Sequence, residues 1–259
     1  MSVPRSHTNR NGRTKSLPGV AFYCLEGVLS AVGAGNAVSF ILSNIGEIHL
    51  RLLNLASFAA RVPGAWLLDD PKHRSERLYE SLKGISIDRL VELGIEYCDR
   101  VLKKSLFPAA VELIEANRGI GLQPVLISES PDFVVVPLCR HLGIEHFAAN
   151  RLIVAKARAT GRLATCMVAE SRADWCVAFA AQRNLDPRAC WAYANSYSDL
   201  SLLSALGHPV AANPDRKLRA AAMNRQWPIL TFDHSEHAAS KALSANVLEF
   251  SRRRADGAG

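Results

Sequence analysis

Apolar positions along this chain follow two alternating rhythms. Short runs rich in strand formers recur at 20–25, 124–128, 191–194, 210–212 and 229–232, and most of them end in a polar or glycine-containing stretch. Between them, apolar residues return at helical spacing over 37–58, 74–82, 87–102, 109–117, 132–142, 172–184, 200–206 and 216–225. Pro63-Gly64 breaks the first helical stretch, Ser86 is placed to cap the third, Pro108 opens the fourth and Gly143 stops the fifth. Residues 146–164 differ, reading as a strand with a small hairpin.

Alternation of strand and helix predicts an α/β fold: a Rossmann-like parallel sheet with helices on both faces. The first strand is apolar throughout, as a strand covered on both faces must be. The helical stretches between it and the second strand are too extensive for one crossover, and they predict a helical cap inserted after the first strand. The predicted organisation is a disordered basic arm at 1–18, an α/β core at 19–29 and 119–232, a cap at 30–118 and a polar, basic tail at 233–259.

Ligands of open α/β sheets bind at the carboxyl edge of the strands. Three strands deliver polar residues there: the first brings Cys24 and Glu26, the second Ser128, and a later one the stretch from Asn195 to Asp199. Cys24 and Glu26 are two apart, so strand alternation places them on one side.

Composition narrows the setting. With 259 residues, 49% hydrophobic and 21% charged, the chain is an ordinary globular protein. Its formal charge of +7 is concentrated at the ends, in Arg5, Arg10, Arg13 and Lys15 and in Arg252, Arg253 and Arg254. These are either flexible basic tails or a patch for peripheral contact with an acidic membrane. No aromatic residues interleave with them, so no nucleic-acid partner is expected. Six scattered cysteines without a Cys-x-x-Cys pair read as reduced thiols of a cytoplasmic protein. The start of the chain lacks the apolar stretch of a signal peptide. The longest uncharged run, 27–46, holds four glycines and several polar residues, so no transmembrane segment is expected. His234 and His237 stand one helical turn apart, either as two metal ligands or as a solvated turn. Lys72, Arg74 and Arg77 either meet an acidic substrate or form a solvated basic face.

The order and wording of the strand ends resemble the haloacid-dehalogenase-like superfamily, and within it the phosphoserine-phosphatase-like branch. The resemblance rests on Leu126-Ile-Ser-Glu-Ser-Pro-Asp-Phe133, on Tyr193-Ala-Asn-Ser-Tyr-Ser-Asp-Leu200, and on the closing stretch from Gly207 to Arg219 with Gln226-Trp-Pro-Ile-Leu230. It covers nearly all of 19–232. It implies a phosphate-transfer site in which one aspartate attacks the phosphate ester and a second protonates the leaving group. A serine and a lysine hold the phosphate, and acidic residues hold Mg²⁺.

Mapped onto that pattern, the nucleophile position is Cys24 and the acid/base position Glu26. The phosphate-binding positions are Ser128 and Arg172, the latter in place of lysine. The metal positions are Asn195, in place of aspartate, and Asp199. Glu129 adds a carboxylate that would repel a phosphate. A thiol and a neutral amide are poor Mg²⁺ ligands, so weak or lost Mg²⁺ binding is expected. The resemblance therefore implies a degenerate phosphatase that binds a phosphorylated small molecule or a partner. The alternative is an active phosphomonoester hydrolase with an altered site, including one in which Arg172 lowers the pKa of a Cys24 nucleophile.

Overall fold

The computed structural model describes residues 19–46 and 70–232. Among these, seven strands form one sheet: β1 (Val20–Cys24), β2 (Gln123–Pro131), β3 (His146–Ala155), β4 (Arg158–Thr165), β5 (Trp191–Ala194), β6 (His208–Ala212) and β7 (Ile229–Leu230). Their order is β4-β3-β2-β1-β5-β6-β7. Every neighbouring pair is parallel except β3 and β4, which form an antiparallel hairpin. Chain order reverses direction at β1, with β2 on one side and β5 on the other. That switch point opens a crevice at the strand ends.

Adjacent residues of β1 show why this strand is apolar on both sides. Phe22 meets Trp175 and Phe179 edge-on, both from α6 (Glu170–Gln182) on one face. Tyr23 points to the other face and stacks on Tyr193 with ring centroids 4.7 Å apart. Asn117 of α4 (Pro108–Gly119) donates through Nδ2 to both phenol oxygens, at 2.6 Å to Tyr23 and 2.9 Å to Tyr193. One buried amide thus satisfies two buried hydroxyls, which would otherwise carry a desolvation penalty.

Between β1 and β2 the described residues also form α1 (Ala34–Asn44), α2 (Pro71–Glu80) and α3 (Ile87–Tyr97). Ser86 caps α3, its Oγ accepting from Arg89 N, and α3 runs on through a π turn at Cys98–Leu102. Helix α3 packs closely on α5 (Asp132–Leu142); a Cβ on Gly94 would stand 2.6 Å from the Phe133 carbonyl oxygen. The β3–β4 hairpin buttresses the turn between α2 and α3. Gly84 N donates to Ala159 O at 2.8 Å, Ile87 N to Ala157 O at 3.0 Å and Ala159 N to Ile85 O at 2.9 Å.

Some element bounds differ from the sequence pattern. The helix expected over 37–58 ends at Asn44, because Ile45 turns to extended backbone. Pro71 at the first helical turn starts α2 ahead of the predicted residue 74. Strand β2 runs past Ser128 to Pro131. The 1–18 arm, the continuation of the first helical stretch beyond residue 46 with its Pro63-Gly64 break, and the 233–259 tail with His234 and His237 lie outside the described residues. Among the described residues, no helix is long and apolar enough to cross a membrane.

Candidate functional site

At the end of β1 the chain makes a tight turn, with Leu29 N and Ser30 N donating back to Leu25 O. Gly27 adopts φ 74°, and a Cβ there would fall 1.9 Å from Asn195 Nδ2. Glycine is required at this point because the Asn195 side chain packs directly over it. The turn aims Glu26 across the edge toward β2.

The β2–β3 register shifts between Ile127 and Pro131, which frees the backbone of Ser128 to Ser130 from regular pairing. Tyr79 of α2 holds this irregular stretch by donating to the Glu129 carbonyl at 2.5 Å. The stretch presents its donors to Glu26. Oε1 of Glu26 accepts from Ser128 Oγ at 2.7 Å, Ser130 Oγ at 2.9 Å and Ser130 N at 3.1 Å; Oε2 accepts from Glu129 N at 3.3 Å. Ser128 and Ser130 are both buried.

Arg172, at the start of α6, occupies the centre of the floor and is also buried. The turn before it is strained, with Ala169 at φ 45°. Its guanidinium donates from Nη1 to Asp199 Oδ1 at 2.5 Å, from Nη2 to Glu129 Oε1 at 2.7 Å and from Nε to Met167 O at 3.0 Å. Glu129 therefore turns toward Arg172 as its partner, where the sequence suggested a carboxylate repelling a phosphate. Burial raises the Glu129 carboxyl above its ordinary range, and Arg172 opposes that shift.

Cys24 lies 3.9 Å through Sγ from Arg172 Nη1. Its thiol is 1% exposed, and its pKa is raised well above the ordinary value, first by burial and then by Asp199. Arg172 lowers it, as the sequence suggested, but burial and Asp199 outweigh the guanidinium. Asp199 precedes α7 (Leu200–Ala205); its Oδ2 is buried and has no hydrogen-bond partner among the described residues.

A cavity of about 570 Å³ opens above this floor, roofed by α1 and α2. Asn36, Ser39, Arg74 and Ser75 line the roof, and Glu26, Glu129, Arg172, Asn195 and Asp199 reach it from below. Cys24 does not line it. The structure thus gathers all six sequence-predicted site residues at one sheet edge and links five of them directly: Glu26 to Ser128, and Arg172 to Cys24 and Asp199, with Asn195 seated on the turn after Glu26.

Comparison with known proteins gives the family. The model for haloacid dehalogenase-like hydrolases matches residues 42–204. A protein of Mycobacterium tuberculosis named "probable phosphatase" is 38% identical over 217 residues, covering 82% of this chain and 75% of its own. This chain belongs to the haloacid dehalogenase-like family. A phosphoserine phosphatase of the same organism is 30% identical over 159 residues, spanning 61% of this chain and 52% of its own. Among solved structures, a Bordetella pertussis protein of unknown function superposes with a TM-score of 0.71 at 22% identity, over 83% of this chain and 99% of that one. A phosphoserine phosphatase from Vibrio cholerae gives 0.64 at 16% identity, over 92% and 68%. These two share the fold of this chain.

The family match begins after β1, so Cys24 and Glu26 lie outside it. Ser130 was not singled out by sequence, and Glu129 was singled out in a different role. Ser130 stands two positions after Ser128, the same alternation that groups Cys24 with Glu26, and that signal would have found it. The part Glu129 plays as a partner of Arg172 had no local signal, because Arg172 is 43 residues away.

Proposed function

We propose that this haloacid dehalogenase-like protein is non-catalytic and that its pocket takes a phosphorylated small molecule beneath a helical cap made by α1 to α3. The observation that carries this reading is the state of position 24. A thiol that is buried and held protonated cannot attack phosphorus, because the thiolate is the nucleophile. The amides that follow Cys24 are spent on the backbone, Leu25 N on Ile127 O, Gly27 N on Ser30 O, and Leu29 N and Ser30 N on Leu25 O, which does not suit the amide loop a thiol phosphatase needs.

Members of this family use Mg²⁺ to neutralise the phosphate during transfer. The donors here do not suit it. Position 24 offers a thiol and position 195 an amide. Asp199 has Oδ1 committed to Arg172 at 2.5 Å, leaving one carboxylate oxygen, Oδ2, beside a permanent cation. Phosphate-monoester hydrolysis needs accelerations up to ~10²¹ over the uncatalysed rate, which positioning alone does not supply.

The test is turnover of an aryl phosphate and a phosphomonoester panel, with and without Mg²⁺. The protein is compared with a variant carrying Cys24→Asp, Glu26→Asp, Arg172→Lys and Asn195→Asp. The wild type is expected to be inert and the variant to gain Mg²⁺-dependent turnover. Wild-type turnover that Cys24→Ser abolishes would establish a thiol enzyme and end this reading.

A further inference from the structure

The four donors around the Glu26 carboxylate form a cradle for an oxyanion: two hydroxyls, from Ser128 and Ser130, and two amides, from Glu129 and Ser130. We propose that Glu26 is the resident occupant of this cradle, so that a phosphorylated ligand enters only by exchange with the protein's own carboxylate. The proposal rests on the pocket reading above and adds the gate to it.

Three features support exchange. Glutamate is one methylene longer than aspartate, and that length brings the carboxylate onto donors at 2.7 to 3.3 Å; a shorter side chain from the same backbone would fall short. Ser128 and Ser130 are 0% and 3% exposed, so their hydroxyls need an acceptor, and Glu26 supplies it. The floor also sets three carboxylates, Glu26, Glu129 and Asp199, around one guanidinium whose Nη atoms are already paired with two of them. A phosphate added beside all three would meet net repulsion, whereas a phosphate replacing Glu26 inherits its four donors. Glu26 itself lines the cavity, which gives it space to swing into.

The experiment is calorimetric titration of the full chain with inorganic phosphate, and with sulfate as a second oxyanion. Four proteins are compared: wild type, Glu26→Ala, Glu26→Asp, and Glu26→Ala combined with Ser128→Ala. Emptying the cradle is expected to tighten phosphate binding about tenfold or more, the worth of removing a charged hydrogen-bond competitor. Glu26→Asp falls between, and adding Ser128→Ala cancels the gain. Wild-type affinity equal to that of a folded Glu26→Ala overturns the proposal. Should that variant not fold, wild-type affinity in Glu26→Asp overturns it equally. Hydrolysis is read separately: a wild type that turned over substrate yet bound phosphate more weakly than Glu26→Ala would end the non-catalytic reading and leave the exchange standing.

Discussion

Arg172 and Asp199 form a buried ion pair, Nη1 to Oδ1 at 2.5 Å, that joins the start of α6 to the start of α7 across the strand ends. Both side chains are almost wholly removed from solvent. Asp199→Ala leaves Arg172 with Glu129 as its remaining carboxylate, so the cost should approach, from below, the about 3–5 kcal/mol of a fully broken buried pair. Urea unfolding should show this as a lower midpoint with an unchanged m-value. Replacing all three members, Arg172→Met with Asp199→Leu and Glu129→Gln, should recover most of the loss, because no carboxylate is then left without its cation.

Metal binding should follow the carboxylates. In the wild type, millimolar Mg²⁺ is expected to leave the thermal midpoint unmoved. With Cys24→Asp and Asn195→Asp together, like charges gather around Asp199, and the protein should lose stability in chelator and regain it with Mg²⁺, since a ligand bound only to the folded state stabilises it. A wild-type midpoint that rises with Mg²⁺ would contradict the assigned donor set.

Thiol reactivity should sort by burial. Burial pushes Cys98 up to about 11 and Cys139 up to about 12, and it raises Cys24 well above the ordinary thiol. Cys166 is the only one of the six cysteines with partial exposure. Alkylation of the native protein at neutral pH, read by peptide mass, should modify Cys166 first and leave Cys24 untouched until unfolding.

His146 should impose a pH slope on stability. Burial, then Arg183, lowers its pKa below the ordinary 6.5; Arg183 Nη2 is 3.3 Å from its Nε2. The folded histidine therefore binds fewer protons than the unfolded one in the window just below 6.5. Stability rises with pH through that window and is lost as pH falls. His146→Phe, which keeps the ring against Phe179, should flatten this part of the profile in chemical unfolding measured at a series of pH values.

Gly27→Ala tests the seat of Asn195. The left-handed backbone and the clash with Asn195 Nδ2 act together, and the substitution should cost about 1–3 kcal/mol. Adding Asn195→Ala should return only the part due to the clash.

Much of this was legible in the chain, and the gaps have physical causes. β5 matched its predicted span because a buried parallel strand is a continuous apolar run. α5 matched as well, because Gly143 at φ 60° supplies the left-handed stop that ends a helix. Strand β2 was read too short because Ser128-Glu-Ser-Pro131 has turn composition. Its polar groups are spent on Glu26, a partner 102 residues away that no local pattern reveals. Cys24, Glu26, Ser128, Arg172, Asn195 and Asp199 were found as a set, but not who binds whom. Glu26 reads in the sequence as an acid/base position; in space its carboxylate accepts four hydrogen bonds from Ser128, Glu129 and Ser130.

The backbone bonds from Gly84, Ile85 and Ile87 to Ala157 and Ala159 carry a consequence for the order of assembly. They join the turn between α2 and α3 to a hairpin 70 or more residues later in the chain. During synthesis α2 and α3 therefore emerge well before the strands that buttress them, and non-local contacts of this kind form late because loop closure must precede them. The sheet edge and its polar residues can be in place while that turn still waits for β3 and β4, so the cavity is among the last parts of the protein to take shape.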